Sequence, residues 1–230
     1  MIRLDQASLV YREQAKEVVA CAPTSLEFLP GQFYGILGPS GSGKSSLLYL
    51  ASGLKAPSSG NVTYRDQPLG KLDDLASAQL RQRSFGFVFQ FPYLLGYLSL
   101  HENVCAGRSG ADFSGEAAQL LSELGLADKM HRFPHEVSGG ERQRTCVARA
   151  LLGRPEVIFA DEPTASLDHT AGHAVVELLQ RLRGEGTLIM VTHDPTMIDQ
   201  ADHVIEIVDG EVTGQRSRSA SARASESEPA

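Results

Sequence analysis

The 230-residue sequence lacks an apolar run long enough to cross a bilayer. A transmembrane helix needs about 20 consecutive apolar residues. The most apolar stretch, Phe85–Leu98, has 14 residues and includes Gln90, Pro92 and two glycines. The amino terminus also lacks the charged-then-apolar order of a secretory signal. We therefore expect the chain to reach a membrane only through a partner chain.

Cysteine is scarce, and basic residues do not exceed acidic ones. Cys21, Cys105 and Cys146 are odd in number, widely spaced and form no Cys-x-x-Cys, which indicates a reducing, cytoplasmic setting. The 21 basic and 28 acidic residues give a formal net charge of −7 at pH 7. This balance disfavours a nucleic-acid partner, which usually requires a basic surface. Nucleotide binding remains compatible with it, because a few oriented donors suffice.

Short apolar runs alternate with helical patterns, and this alternation predicts an α/β fold with a mainly parallel sheet. Four of the runs end at polar residues: Phe33–Leu37 at a glycine loop, Phe85–Phe89 at Gln90, Val157–Ala160 at Asp161-Glu162, and Leu188–Val191 at Thr192-His193. In open parallel sheets, ligands bind beyond the carboxyl ends of the strands. We therefore expect the four strand ends to face one crevice.

Two segments depart from the alternation. Residues 91–149 carry helical patterns, such as Gly115–Leu124, and are predicted to form a mostly helical insertion. Residues 215–230 are almost all Ser, Ala, Arg and Glu, a composition that cannot bury enough apolar surface to fold. The sequence thus predicts one domain over residues 1–214 and a disordered, catalytically dispensable tail over residues 215–230. A basic regulatory or membrane-touching tail is the alternative.

A glycine-rich loop gives the strongest chemical signal. The segment that matches the P-loop pattern G-x-x-x-x-G-K-[ST] is Gly38-Pro39-Ser40-Gly41-Ser42-Gly43-Lys44-Ser45. It lies between a predicted strand and a helical run that begins at Ser46, so its backbone N–H groups and the helix terminus can face one anion. We expect residues 38–46 to bind the phosphates of a nucleotide. Lys44 would reach the β- and γ-phosphates, and the Ser45 hydroxyl would ligate Mg²⁺.

An acidic pair narrows the chemistry further. A P-loop alone is also found in small-molecule kinases and GTPases, but the Asn-Lys-x-Asp stretch typical of guanine specificity is absent. Asp161, at a strand exit, suits a direct or water-mediated hold on Mg²⁺. Glu162 is placed to polarise an attacking water. This pair favours a hydrolytic reaction.

The sequence resembles the ABC ATPases through six motifs in family order, over about Ile2–Val212. The motifs are the P-loop, Gln90, Val137-Ser138-Gly139-Gly140-Glu141-Arg142-Gln143-Arg144, Asp161-Glu162-Pro163-Thr164, Ser166-Leu167-Asp168 and Thr192-His193-Asp194. The resemblance implies a P-loop NTPase fold of the ABC type. Such a fold has a mainly parallel core sheet, an N-terminal antiparallel β region and an inserted helical subdomain.

The third motif corresponds to the family's signature, Leu-Ser-Gly-Gly-Gln. Ser138, Gly139 and Gly140 offer a hydroxyl and unhindered N–H groups at a helix start, which suits a phosphate. The resemblance implies that they close on ATP held by the P-loop of a second copy, so that a homodimer encloses two ATP molecules. Val137 and Glu141 replace the usual Leu and Gln. Relatives of the lipoprotein-releasing transporter also carry this Glu, so Glu141 does not indicate loss of activity.

The resemblance also implies roles for five other side chains. Glu162 is the general base or water-orienting residue, and His193 contacts the γ-phosphate. Gln90 links Mg²⁺ and the attacking water to the helical insertion. Asp168 lies at the dimer seam. Tyr11 corresponds in place to an aromatic residue that stacks on adenine, although simple packing is the alternative for this residue.

The segment Leu72–Val104 resembles the ABC subgroup of lipoprotein release, macrolide-type efflux and the related cell-division complex. Matching residues are Arg81 and the run Gly86–Gln90. Members pair with integral membrane permease subunits, so the resemblance implies a transport-coupled ATPase at the cytoplasmic face of the inner (plasma) membrane. The apolar Phe91–Leu100 stretch fits the core of the insertion, a groove for a partner's coupling helix, or both.

Three other classes of protein share parts of this motif set. A non-transport mechanical ABC ATPase of the cell-division kind has identical ATP chemistry and stays open. A soluble ABC ATPase of DNA repair or translation usually carries two cassettes or long coiled-coil insertions, and this sequence has neither. A phosphoryl-transferring kinase would leave the signature without a role.

Overall fold

The structure, a computed structural model, describes residues 1–13 and 16–218. Its strands are β1 (Ile2–Glu13), β2 (Lys16–Phe28), β3 (Phe33–Leu37), β4 (Ser59–Tyr64), β5 (Gln67–Pro68), β6 (Phe85–Val88), β7 (Val157–Asp161), β8 (Thr187–Thr192), β9 (His203–Val208) and β10 (Glu211–Ser217). Its helices are α1 (Lys44–Ala51), α2 (Asp74–Ser84), α3 (Leu100–Cys105), α4 (Ser114–Glu123), α5 (Gly139–Leu151) and α6 (His169–Leu182).

The larger sheet has the strand order β10-β9-β3-β8-β7-β6. All of its pairs are parallel except β9 with the edge strand β10. Every residue of β7 and β8 is buried, as expected for strands covered on both faces. The predicted α/β fold with a mainly parallel core sheet is confirmed.

The smaller sheet is antiparallel, with the order β2-β1-β4-β5. Its inner face and helix α1 share a hydrophobic core with one face of the parallel sheet, through residues such as Leu4, Leu47 and Phe159. The other face of the parallel sheet packs against α5 and α6, and α4 packs on α5. The predicted N-terminal antiparallel region is therefore present, and it covers the sheet beside the P-loop.

The segment predicted as a helical insertion, residues 91–149, contains α3, α4 and most of α5, with short 3-10 turns at 127–129 and 134–136. Two details differ from the prediction. Residues 91–99 form a loop without a helix, and α5 continues to Leu151. Helix α5 also packs on the parallel sheet, since Val147 and Ala148 lie in one core with Val88. It therefore joins the insertion to the sheet.

The predicted domain end at residue 214 is three residues too early, because β10 continues to Ser217. Its backbone pairs with β9, with Arg216 opposite Val204 and Ser217 opposite His203. Ladder hydrogen bonds do not require apolar side chains, so composition alone could not reveal this edge strand. An ion pair of 2.7 Å between Arg216 on β10 and Glu206 on β9 also joins the two strands. The rest of the predicted tail, residues 219–230, lies outside the described residues.

Within residues 1–13 and 16–218, no helix combines the length and apolar character that a membrane span requires.

Candidate active site

The P-loop connects β3 to α1 and has the backbone conformation that its glycines permit. Gly41 and Gly43 have φ angles of 80° and 95°, a region that side chains disfavour. A Cβ on Gly43 would also lie 2.1 Å from the carbonyl oxygen of Ala20 on β2. Glycine is therefore required at Gly43 both by conformation and by the close approach of β2.

The loop lines one side of a pocket of about 400 Å³. The lining residues are Val18, Val19, Ala20, Gly41–Ser46, Asp209 and Gly210. Lys44 is 6% exposed, and its Nζ donates to the carbonyl of Pro39 at 2.9 Å. The buried Ser42 hydroxyl has no hydrogen-bond partner among the described residues. An open, glycine-lined cradle with a buried lysine fits the phosphate chain of a nucleotide.

The buried carboxylate of Asp161 is held by two hydroxyl groups from α1. Ser45 Oγ donates to Oδ1 and Tyr49 OH donates to Oδ2, each at 2.7 Å. Asp161 is only 6% exposed, so these bonds offset the cost of burying its charge. Burial and the bond to Asp161 both raise the pKa of Tyr49, which therefore stays a neutral donor.

These groups fit Mg²⁺, which prefers oxygen ligands. Ser45 Oγ and Asp161 Oδ1 are close enough to share one cation or a water bound to it. No group of three or more His, Cys, Asp or Glu side chains in the described part of the chain could hold a metal. Mg²⁺ commonly binds through one or two carboxylates together with substrate phosphates, and Asp161 with Ser45 suits that mode.

Glu162 lies between Lys44 and His193. Its Oε1 is 3.7 Å from Lys44 Nζ, and its Oε2 is 2.9 Å from His193 Nδ1. Because a carboxylate only accepts, the imidazole donates from Nδ1, and this bond fixes the ring orientation. Glu162 has a φ of 46°, an unfavourable conformation of the kind often found at functional sites. Its N–H donates to Val191 on β8, which stabilises that conformation.

The signature begins α5. Ser138 caps the helix: its Oγ accepts from the N–H of Glu141, and its own N–H donates to Glu141 Oε2. Ser138 and Gly139 are exposed, while Gly140 is half-buried and its Cβ position lies 3.7 Å from Leu167. The signature and the Ser166–Asp168 loop are therefore neighbours on the surface.

Gln90, Asp168 and Tyr11 are not among the described side chains that hydrogen-bond to Asp161 or Glu162. Gln90 follows β6 and is exposed, and within the described residues its side chain makes no hydrogen bond to Ser45 or Asp161. Asp168 caps α6 by accepting from the N–H of Ala171 at 3.0 Å. Tyr11 pairs across the hairpin with Val18, which lines the P-loop pocket.

Three comparisons with known proteins identify the family. The sequence profile described as ABC transporter matches residues 21–165, more than half of the chain. The chain belongs to this family. The macrolide export ATP-binding/permease protein MacB of Campylobacter jejuni is 45% identical over 194 residues, covering 82% of this chain and 30% of that protein. MacB 2 of Aeromonas hydrophila is 41% identical over 218 residues, covering 92% and 34%.

A solved ABC structure has the same fold. The dimeric post-hydrolysis state of the ATP-binding cassette MJ0796, bound to ADP and Pi, superposes with a TM-score of 0.88. It is 31% identical, and the match covers 95% of this chain and all of that one. The chain is thus an ATPase domain of the ABC family. It spans about a third of the length of the curated relatives that it matches.

Three side chains of α5 connect this ABC signature helix to the loop that carries Gln90. Gln143 donates to the carbonyls of Phe89 and Pro163 at 3.2 and 2.8 Å. Three and six residues later, Cys146 and Arg149 bond to the carbonyls that follow Gln90. Cys146 Sγ and Arg149 both donate to Pro92 O at 2.9 Å, and Arg149 also donates to Tyr93 O at 3.0 Å. We call residues 143, 146 and 149 the α5 ladder.

The loop fixed by the α5 ladder presents an aromatic surface. Phe91, Tyr93, Leu95 and Tyr97 are 59%, 68%, 42% and 75% exposed, an unusual concentration of large apolar side chains. The buried Asn103 fixes the far end of the loop, bonding to the N–H and carbonyl of Leu95. Beside this surface lies a cavity of about 740 Å³, lined in part by Arg81, Phe87 and Arg149.

Sequence reasoning missed the roles of Tyr49, Gln143, Asn103 and Arg149. Gln143 lies within the signature segment and Asn103 within the matched Leu72–Val104 segment, and these motif matches are the available signal for both residues. Tyr49 lies four residues after Ser45, and this helical spacing was the available signal. Nothing in the sequence shows that Arg149 bonds to a loop 56 residues earlier.

Tyr49→Phe is expected to weaken Mg²⁺-dependent hydrolysis, because Asp161 loses one of the two hydroxyl groups that orient it. A single hydrogen bond contributes about 0.5–1.5 kcal/mol, so the Mg²⁺ concentration for half-maximal ATPase activity should rise about two- to ten-fold. The measurement is a Mg²⁺ titration of steady-state ATPase activity at saturating ATP.

Tyr64→Phe is the matched control. It removes a hydroxyl that donates to Glu156 at 2.6 Å, away from the site, and should leave the Mg²⁺ dependence unchanged. If both variants shift it equally, or neither does, Tyr49 does not position Asp161.

Proposed function

We propose that this chain is the ATP-binding and ATP-hydrolysing subunit of a membrane ABC transporter of the export, lipoprotein-release or efflux type. In this proposal it acts as a homodimer at the cytoplasmic face of the inner (plasma) membrane, where it binds integral membrane permease subunits. One observation supports this proposal. At the carboxyl edge of the parallel strands lie four side chains close together: Lys44, Asp161, Glu162 and His193.

The P-loop holds the substrate in this proposal. Its backbone N–H groups and Lys44 bind the phosphates of ATP, and the Lys44 ammonium exchanges the Pro39 carbonyl for a phosphate oxygen. Ser45 and Asp161, with Gln90 from the neighbouring strand end, would hold Mg²⁺. When bound, Mg²⁺ neutralises charge on the β- and γ-phosphates. Tyr11 packs against adenine at the mouth of the pocket.

Glu162 is the proposed general base. One of its oxygens faces His193 and the other faces the Lys44 ammonium, so the carboxylate is oriented before ATP arrives. A water beside the γ-phosphate would lose its proton to this carboxylate as it attacks. His193, held by Glu162 through Nδ1, would donate from Nε2 to the γ-phosphate in the imidazolium form, in which both ring nitrogens carry protons. Oriented groups of this kind lower the barrier because they need no rearrangement during the reaction.

A second copy completes each site. Ser138, Gly139 and Gly140 offer an anion site at the start of α5, and the exposed Ser138 and Gly139 leave it open to another chain. In a head-to-tail dimer, this site would close on the γ-phosphate of ATP held by the other copy, with Asp168 at the seam. The dimeric form of MJ0796 supports this arrangement.

The aromatic surface is the proposed contact with the membrane partner. The α5 ladder ties this loop to the helix whose first turn carries the signature, so dimer closure and partner movement would be mechanically linked. The names of the MacB relatives, which describe ATP-binding/permease proteins, support a permease partner and an efflux role. A non-transport mechanical ATPase of the cell-division kind is the alternative. The two differ in whether the co-purifying membrane protein moves a solute.

Glu162→Gln is expected to separate ATP binding from hydrolysis. The amide is nearly isosteric with the carboxylate and leaves Lys44, Ser45 and Asp161 in place, but it cannot accept the proton of the attacking water. Loss of a general base costs about 10²–10⁴ in rate. With cleavage stalled, ATP with Mg²⁺ should convert the variant, but not the wild type, into a stable dimer on size-exclusion chromatography.

ADP is the control ligand for this variant, and it should leave the chain monomeric because it lacks the γ-phosphate that Ser138 would bind. A variant that hydrolyses ATP near the wild-type rate would exclude Glu162 as the catalytic base.

Replacing Phe91, Tyr93 and Tyr97 together with serine should weaken the permease contact, because the apolar surface that it buries is removed. The ATPase activity of the isolated chain should stay within about twofold, since exposed side chains outside a site usually contribute little. The measurement is binding of the purified variant, compared with the wild-type chain, to inverted inner-membrane vesicles of the source cells.

Leu29→Ser, which alters an exposed apolar residue away from this loop, should bind the vesicles like the wild type. Full binding by the triple variant would place the permease contact elsewhere.

A further inference from the structure

The carboxylate of Glu141 has two different partners. Its Oε2 accepts from the backbone N–H of Ser138 at 2.8 Å, which completes the cap of α5. Its Oε1 accepts from the ammonium of Lys129 at 2.5 Å. Lys129 lies in the 3-10 turn after α4, so the first turn of the signature helix is linked to a separate part of the insertion.

These contacts keep Glu141 ionised. The hydrogen bond from Lys129 is the main cause that lowers the pKa of Glu141 to about 2, and the Ser138 N–H also contributes. The pKa of Lys129 is raised, first by its bond to Glu141. Asp128 raises it as well, whereas Arg144 lowers it. At neutral pH the pair is therefore a carboxylate and an ammonium in direct contact.

A carboxylate at this position poses an electrostatic problem for anion binding. Glu141 lies in the first turn of the helix whose start would bind the γ-phosphate. Its negative charge would repel that of the phosphate. A carboxylate near a helix start also competes with an anion for the positive end of the helix dipole. A glutamine would make the same bond to Ser138 without the charge.

We propose that Lys129 is a positioning residue for the signature. It neutralises the Glu141 carboxylate, so that Glu141 can hold the N–H of Ser138 without repelling the γ-phosphate presented by the second copy. The inference rests on the proposed function, in which Ser138 binds ATP held by the other chain. It assigns a role to a residue outside the six motifs.

The proposal predicts how substitutions of Lys129 and Glu141, made singly and together, change dimer closure. Lys129→Met leaves an uncompensated carboxylate beside the anion site and should weaken closure. Glu141→Gln removes that charge while an amide oxygen still accepts from Ser138, so it should restore closure in the Lys129→Met chain. A merely structural contact would behave differently, because losing both partners would then not restore function.

The experiment measures ATP-driven dimerisation in the Glu162→Gln background, where hydrolysis does not interfere. Light scattering gives the ATP concentration for half-maximal dimer formation at fixed Mg²⁺. Lys129→Met should raise this concentration about two- to five-fold, the range for an exposed charge near a helix terminus. Glu141→Gln together with Lys129→Met should match the parent. Glu141→Gln alone leaves the Lys129 ammonium unpaired beside the anion site and should not raise the concentration. Lys129→Arg should also match the parent, because it keeps the charge.

Arg132→Met is the matched control. It removes a cation from the same region, where Arg132 pairs with Glu136 at 3.6 Å, and should not change dimerisation. Binding of a fluorescent ATP analogue to the monomer should be equal in all variants, since Lys129 acts on the signature and not on the P-loop. Equal melting temperatures would show that Lys129→Met is folded.

Three results would overturn the inference: no change in Lys129→Met, no rescue by Glu141→Gln, or an equal loss in Arg132→Met. Failure of the proposed function would look different. In that case the Glu162→Gln parent itself would not dimerise with ATP, whatever residue occupies position 129.

Discussion

The register of β3, β8 and β7 is the constraint on which the site depends. Leu37 pairs with Thr192, and Asp161 pairs with Val191, so three strand ends reach the same edge of the sheet at the same height. A slip of one residue would turn the Asp161 side chain to the opposite face. The continuous burial of β7 and β8 resists such a slip. The distances from Glu162 to Lys44 and His193 are consequences of this register.

Features determined by local sequence could be predicted. The P-loop, the four buried strands and their polar exits follow from glycine spacing and apolar runs, and the structure has them. Features that depend on tertiary contact could not be. The bond from Arg149 to the loop after Gln90 exists only once α5 packs on the sheet. Strand β10 extends through polar residues, because pairing with β9, and not composition, decides its length. The Lys129–Glu141 pair likewise joins two turns with no shared motif.

Helix α5 connects the parts of the candidate site. Its start carries Ser138, its first turn contacts Lys129 through Glu141, and the α5 ladder bonds its buried side to the carbonyls around Gln90. Burial raises the pKa of Cys146 to about 11, so the thiol stays a neutral donor within the ladder. In the proposed dimer, helix α5 would therefore link a γ-phosphate bound at Ser138 to the aromatic surface.

The central claim, that each ATP lies between two copies, is tested most directly by mixing Ser138→Arg chains with Lys44→Ala chains. Each homodimer has two damaged sites, whereas a heterodimer combines the intact P-loop of one chain with the intact signature of the other. Half of the dimers in a random mixture are heterodimers with one of two sites intact, so the mixture should regain up to about a quarter of the wild-type ATPase rate. A mixture no more active than either variant alone would contradict the shared site.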